Sequence, residues 1–330
     1  MNSRHILLAT AGSILLCFQA LHNKYPYLTT DSGAFIQAGF ESFPKTSGAV
    51  PYGIFIVHTG WGTSLWPVVF IQTGLLSLIL FYYFRYFERM YYYLIFVCCI
   101  TFFTSASIVT GTISPGIFSC IAVLCTGLLL FIKGLSVRDA WIICIIAIIS
   151  MLMDVSSLLT VMILALLFIF RWINNRTALR WIIIPVAAAL LLPLCDLPPL
   201  HRISNFSSDL RITEYERVHE HTNTYFALNR WYSWEVREYQ ITRQYQNWLS
   251  LFYLNYAQMG ILIAGGFATI WLIIKKKIKI ELLLFFMCAI VTLTLMQKIL
   301  YGNSNDITTQ RFWLLLLPLF ICLPERPASK

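Results

Sequence analysis

The sequence predicts an all-α protein, a polytopic transmembrane bundle of about ten spans, and three observations predict it. The composition is 58% hydrophobic and 12% charged with a mean hydropathy of +0.71, whereas water-soluble domains carry about 25% charged residues. The apolar residues gather into long runs separated by polar segments. Lysine and arginine collect in alternate connections, which fixes a direction for each run.

The runs fall at 4–22, 65–84, 91–110, 116–132, 140–153, 157–170, 181–195, 251–274, 281–297 and 311–323. A spanning helix needs roughly 20 residues, fewer when it is packed or broken. Runs 140–153 and 157–170 are short for independent spans and read as two short helices meeting at Asp154-Val155-Ser156-Ser157. Between the first and second runs lies a long polar loop, 23–64. In it Phe35, Ile36, Gly39, Phe40 and Phe43 recur on one face of a helix, which predicts a short amphipathic helix in the membrane interface, ended by Pro44 and Gly48. Val50-Pro51-Tyr52-Gly53-Ile54-Phe55 and His58-Thr59-Gly60-Trp61-Gly62 form a second interfacial element.

Segment 196–250 alone has soluble character, with acids, bases, Tyr and Trp interleaved at helical spacing, such as Glu216/Glu220 and Glu214/Arg217. It predicts a small helical outer cap. A third polar loop covers 298–310. No repeat or separable soluble domain is visible, so residues 1–330 read as a single integral membrane domain.

With the N-terminus inside and the runs alternating, the inner connections hold 14 of the 24 basic residues: Arg4, Arg85, Arg89, Lys133, Arg138, Arg171, Arg176, Arg180, Lys275, Lys276, Lys277, Lys279, Arg326 and Lys330. Only four acids, Glu88, Asp139, Glu281 and Glu325, share that side. The topology is therefore N-in and C-in. Anchoring against anionic lipid accounts for the net charge of +9 and no nucleic-acid partner is needed. Run 4–22 reads as a signal anchor, because no small-residue cleavage site follows it. Eight of the nine cysteines lie inside apolar runs, with neither metal nor disulfide spacing.

Several pieces resemble the GT-C class of polytopic glycosyltransferases, and more narrowly an uncharacterised bacterial, often Bacteroidetes-type, group. They are Tyr27-Leu28-Thr29-Thr30-Asp31-Ser32-Gly33 on the first outer loop, Pro51-Tyr52-Gly53-Ile54-Phe55, Trp66-Pro67 with Gln72, and Gln310-Arg311-Phe312-Trp313-Leu314-Leu315. The resemblance implies a bacterial inner-membrane enzyme that moves a sugar from a polyprenyl-phosphate donor to a glycan or lipid acceptor on the outer face. It also implies an acidic catalytic residue on the first loop. Two positions depart from the class: Ser114-Pro115-Gly116-Ile117-Phe118 lacks an acid after the proline, and Asp154-Val155-Ser156-Ser157 stands where histidines are expected.

Such a transfer needs a base for the acceptor hydroxyl, cations for the departing phosphate, and lateral access for the prenyl tail. Asp31 is the candidate base; it also precedes the expected helix, where it would serve as an N-cap. Arg311, Lys298 and Arg230 are the donor-phosphate candidates, set against lipid snorkelling for the first two and surface salt bridging for the third. Trp61, Trp231 and Trp234 suit stacking on sugar faces, but an interfacial aromatic belt uses the same residues. Asp154 and His58 are further substrate-binding candidates, Asp154 doubling as a helix cap. His219-Glu220-His221 is no metal site, since i and i+2 point to opposite sides of a helix. No ligand cluster calls for a cofactor, although a divalent cation (Mg or Mn) is compatible with the chemistry. The rival expectations are a transporter or flippase for a lipid-linked or anionic solute, and a non-catalytic scaffold with a degenerate site.

Overall fold

The computed structural model describes residues 3–28, 32–41, 50–60, 63–87, 90–103, 106–132, 135–167, 183–189, 284–286, 288–293 and 295. These are mostly helical, as the sequence predicts. The helices are α1 (Ser3–Leu16), α2 (Phe18–His22), α3 (Ser32–Glu41), α4 (Val50–Gly60), α5 (Trp66–Tyr86), α6 (Tyr93–Phe103), α7 (Ala106–Thr110), α8 (Gly116–Phe131), α9 (Val137–Met153) and α10 (Val155–Leu167). Residues 183–189 and much of 284–295 are helical as well.

Within the described residues the apolar runs are helical, with local corrections. Run 4–22 divides at Cys17, yet Cys17 N donates to Ser13 O and Leu21 N to Cys17 O, so the helical bonding continues across the division. Run 65–84 becomes α5, started by Pro67 in its first turn, where a missing N–H costs nothing. Among the described residues α5 is the one helix long and apolar enough to cross a membrane by itself, and shorter apolar helices surround it. Residues 32–41 are helical as expected, but the helix packs on α4. Gly39 and Gly53 meet so closely that a Cβ on either would strike the other's backbone.

A small feature absent from the sequence-based expectation is a parallel strand pair, β1 (Tyr27–Leu28) with β2 (Thr112–Ile113). Two-residue strands carry no periodicity to read.

Directions follow from the contacts. Ser77 Oγ donates to Ala9 O at 2.5 Å and Ser13 Oγ bonds Thr73 Oγ1 at 3.0 Å, so α1 and α5 are antiparallel. Gln72 reaches Ser114 while Tyr83 OH donates to Leu124 O at 2.8 Å, so α5 and α8 are parallel. Tyr82 and Tyr86 meet Asp139, which sets α9 against α5. Ser119 near the start of α8 meets Asp154 at the end of α9, so α1 and α9 run one way and α5 and α8 the other.

The interior is mainly apolar but takes in polar side chains too, while several large apolar side chains face outward. Gln72, Thr73 and Ser77 of α5 are fully buried while Phe70 and Ile71 are exposed. On α10, Ser156, Ser157 and Thr160 are buried while Leu166 and Leu167 are exposed. Ile6, Leu7 and Ile14 of α1 also face outward. Several buried hydroxyls bond within their own helices, as in Thr126 Oγ1 to Ala122 O at 2.8 Å and Thr160 Oγ1 to Ser156 O at 2.7 Å.

Candidate functional site

One end of the bundle gathers the segments singled out in the sequence. Tyr27 N donates to Gly111 O at 2.9 Å and opens the β1–β2 pair. Four residues after Leu28, the hydroxyl of Ser32 donates to Ile113 O at 2.8 Å. The next carbonyl, that of Ser114, accepts from Gln72 Nε2 at 3.3 Å. The same nitrogen donates to Tyr52 OH at 2.9 Å. Residues 111–114 are therefore held by the first loop on one side and by α4 and α5 on the other.

Aromatic rings fill the space beside this knot. Tyr52 meets Phe35 edge-on at 5.5 Å and Phe118 at 6.0 Å, and Phe55 meets Phe118 at 5.4 Å. T-shaped pairs of this kind add about 0.5–1.5 kcal/mol beyond their burial.

One turn into α8, Ser119 Oγ donates to Asp154 Oδ2. Asp154 Oδ1 accepts from Ser156 N at 2.9 Å, and Ser157 N donates to Asp154 O at 3.0 Å. With extended backbone angles of −142° and 115°, Asp154 is the N-cap of α10. Ser157 Oγ also donates to Ser150 O at 3.2 Å, seven residues back. A straight helix could not close that bond, because seven residues rise roughly 10.5 Å. Helices α9 and α10 therefore meet at a bend, as the short runs on either side of Asp154 predict.

Of the residues proposed from sequence, Asp154 and His58 are described. Asp154 is buried with both carboxylate oxygens accepting hydrogen bonds, and His58 is exposed in the last turn of α4. Asp31, Trp61, Arg230, Trp231, Trp234, Lys298 and Arg311 lie outside the described residues. Ser119 escapes sequence reasoning, because a serine in an apolar run carries no sign of its partner. Gln72 and Tyr52 stand in the resembling motifs, but nothing in their spacing foretells that they bond each other.

The opposite end carries charge. Arg85 Nη1 lies 3.3 Å from Asp139 Oδ2, which also accepts from Tyr86 OH at 2.6 Å, while Tyr82 OH donates to Oδ1 at 3.3 Å. Asp139 stands in the first turn of α9, just outside the apolar run 140–153, with Ser136 as N-cap. Burial pushes its carboxyl pKa up. Hydrogen bonds from Tyr86 and at Ser136, the Arg85 charge and Tyr82 outweigh that, and the net shift is below the ordinary 3.8. Arg4 and Arg138 are exposed at this same end. Among the described residues no three His, Cys, Asp or Glu side chains come together.

No protein-family model matches the chain, and no curated protein or solved structure matches it.

Proposed function

We propose that the chain is a polytopic membrane glycosyltransferase of GT-C-like architecture. In this reading it has about ten spans, interfacial helices and a small helical outer cap. It sits in the bacterial inner membrane with both termini inside and moves a sugar from a polyprenyl-phosphate donor to a glycan or lipid acceptor at the outer face.

The observation that carries the proposal is the meeting of four separate motif segments at one end of the bundle: Tyr27–Leu28 with Ser32, Tyr52, Gln72, and the Ser114–Phe118 connection. The first three belong to pieces that resemble the glycosyltransferase class, and the connection they meet on, Ser114–Phe118, is one where the chain departs from it; all four lie far apart in sequence.

Membrane embedding is supported by the large apolar side chains exposed on α1, α5 and α10, with hydroxyls and Gln72 buried between helices. In lipid, helices gain little by burying apolar surface and associate through small residues and hydroxyls. The α1–α5 contact, built from Ala9, Gly12, Ser13, Thr73 and Ser77, has that character. Arg4, Arg85 and Arg138 gather at the end opposite the motif cluster, which supports an inward-facing basic end and an outward-facing site.

In the proposed reaction Asp31 takes the acceptor hydroxyl's proton as that oxygen attacks the anomeric carbon. The bond to the donor phosphate breaks, and Arg311, Lys298 and Arg230 stabilise the leaving phosphate. Trp61, Trp231, Trp234 and His58 contact sugar. Asp154, with both oxygens engaged, has a supporting part, holding the entrances of α8 and α10 together.

One observation favours a second reading. A buried carboxylate at a bend between two short helices is a pattern that transporters use near their substrate sites. Proteoliposomes given a polyprenyl-phosphate sugar and an acceptor separate the two. The glycosyltransferase turns over donor and yields glycosylated acceptor; movement of donor across the bilayer with no product would support the transporter instead.

A further inference from the structure

The carbonyls of Ile113 and Ser114 face two different captors. Ser32 binds the first from the β1 side, and Gln72 binds the second from α5. Gln72 is fully buried and midway along a helix that otherwise buries mainly apolar groups. Its orientation is fixed by chemistry, because the Ser114 carbonyl can only accept and so must face the amide N–H. The amide oxygen, pointing elsewhere, is buried and meets no hydrogen-bond donor among the described residues.

An unmet buried acceptor costs about 1–3 kcal/mol, which offsets much of what the two hydrogen bonds of Nε2 return. Geometry gives the amide its use. Gln72 is the residue that joins α4, through Tyr52, to the peptide that follows β2.

We infer that Gln72 is a positioning residue: its amide clamps residues 112–114 against α4 and so fixes the β1–β2 pair from which the chain enters Thr29-Thr30-Asp31. The inference rests on the transfer reading for the step it serves, and on the structure alone for the clamp itself.

The test uses full-length protein in proteoliposomes with Gln72→Met and Tyr52→Phe. Gln72→Met lowers the thermal midpoint modestly, since two buried hydrogen bonds go with the amide, loses about tenfold or more in kcat for sugar transfer, and leaves the donor KM within about threefold, the signature of a misplaced reacting group. Tyr52→Phe, which removes one of two acceptors, loses less. Hydrogen–deuterium exchange at the amides of 27–28 and 111–114 is faster in Gln72→Met than in wild type. Unchanged exchange in Gln72→Met overturns the clamp, whether or not sugar is transferred. If wild-type protein transfers sugar and Gln72→Met does so at the same kcat, the positioning role is overturned. Should Gln72→Met fail to fold, Tyr52→Phe decides: a reduced kcat with unchanged donor KM supports the role, and wild-type kcat ends it. If wild-type protein transfers no sugar, the transfer reading falls while the exchange result still stands.

Discussion

Ser119, on α8, donates its hydroxyl to the carboxylate of Asp154 at the bend between α9 and α10, so that one bond joins three helices. The other carboxylate oxygen caps α10 at Ser156 N. Removing the side chain takes away both interactions in a buried setting.

Asp154→Ala should therefore destabilise the protein strongly. The lost cap is worth roughly 1 kcal/mol, and the Ser119 bond to a charged acceptor about 1–3 kcal/mol more, although Ser119 Oγ keeps Ser156 Oγ at 3.3 Å. Asp154→Asn keeps a carbonyl acceptor and should lose less. Thermal unfolding of the detergent-solubilised protein measures both; a wild-type midpoint for Asp154→Ala would show that the bend does not depend on this carboxylate.

The cluster at the opposite end predicts a pH effect. Asp139 has a folded pKa below its ordinary value of 3.8, so its contribution is present above that value and is lost as pH falls through the depressed one. Wild-type stability should decline on acidification below about pH 4 more steeply than that of Asp139→Asn, which has no such group to protonate. Arg85 is one-third exposed, so the ion pair itself is worth only about 0–1 kcal/mol. The Tyr86 hydrogen bond should matter as much, and Tyr86→Phe should cost about 1 kcal/mol. Parallel acid slopes for wild type and Asp139→Asn would remove Asp139 from the account.

Packing between helices gives a paired prediction. A Cβ on Gly39 would collide with the Gly53 carbonyl, whereas one on Gly74 would find Ser13 Oγ 3.8 Å away as its nearest contact. Gly39→Ala should force α3 from α4 and cost about 1–3 kcal/mol. Gly74→Ala should be neutral or gain up to about 1 kcal/mol from helix propensity. Equal midpoints for the two variants would mean that α3 and α4 do not pack as described.

Much of this architecture is legible in the chain, for identifiable reasons. Run 65–84 emerges as α5, Trp66–Tyr86, because a mostly apolar run of twenty residues with a proline near its start leaves little choice. The bend at Asp154 is legible because a carboxylate between two short apolar runs interrupts both. Distances between segments are not legible. Nothing in Ser119, Gln72 or Tyr52 names a partner 20 to 42 residues away, and the β1–β2 pair is too short to leave an alternating pattern. The close approach of α3 to α4 needs two glycines that only the folded chain brings together.

The central claim is tested most directly by sugar transfer from a polyprenyl-phosphate donor in proteoliposomes carrying matched amounts of wild-type and Asp31→Asn protein. The account predicts transfer by wild type and background rates for Asp31→Asn, with both proteins inserted equally. Undiminished transfer by Asp31→Asn would contradict it.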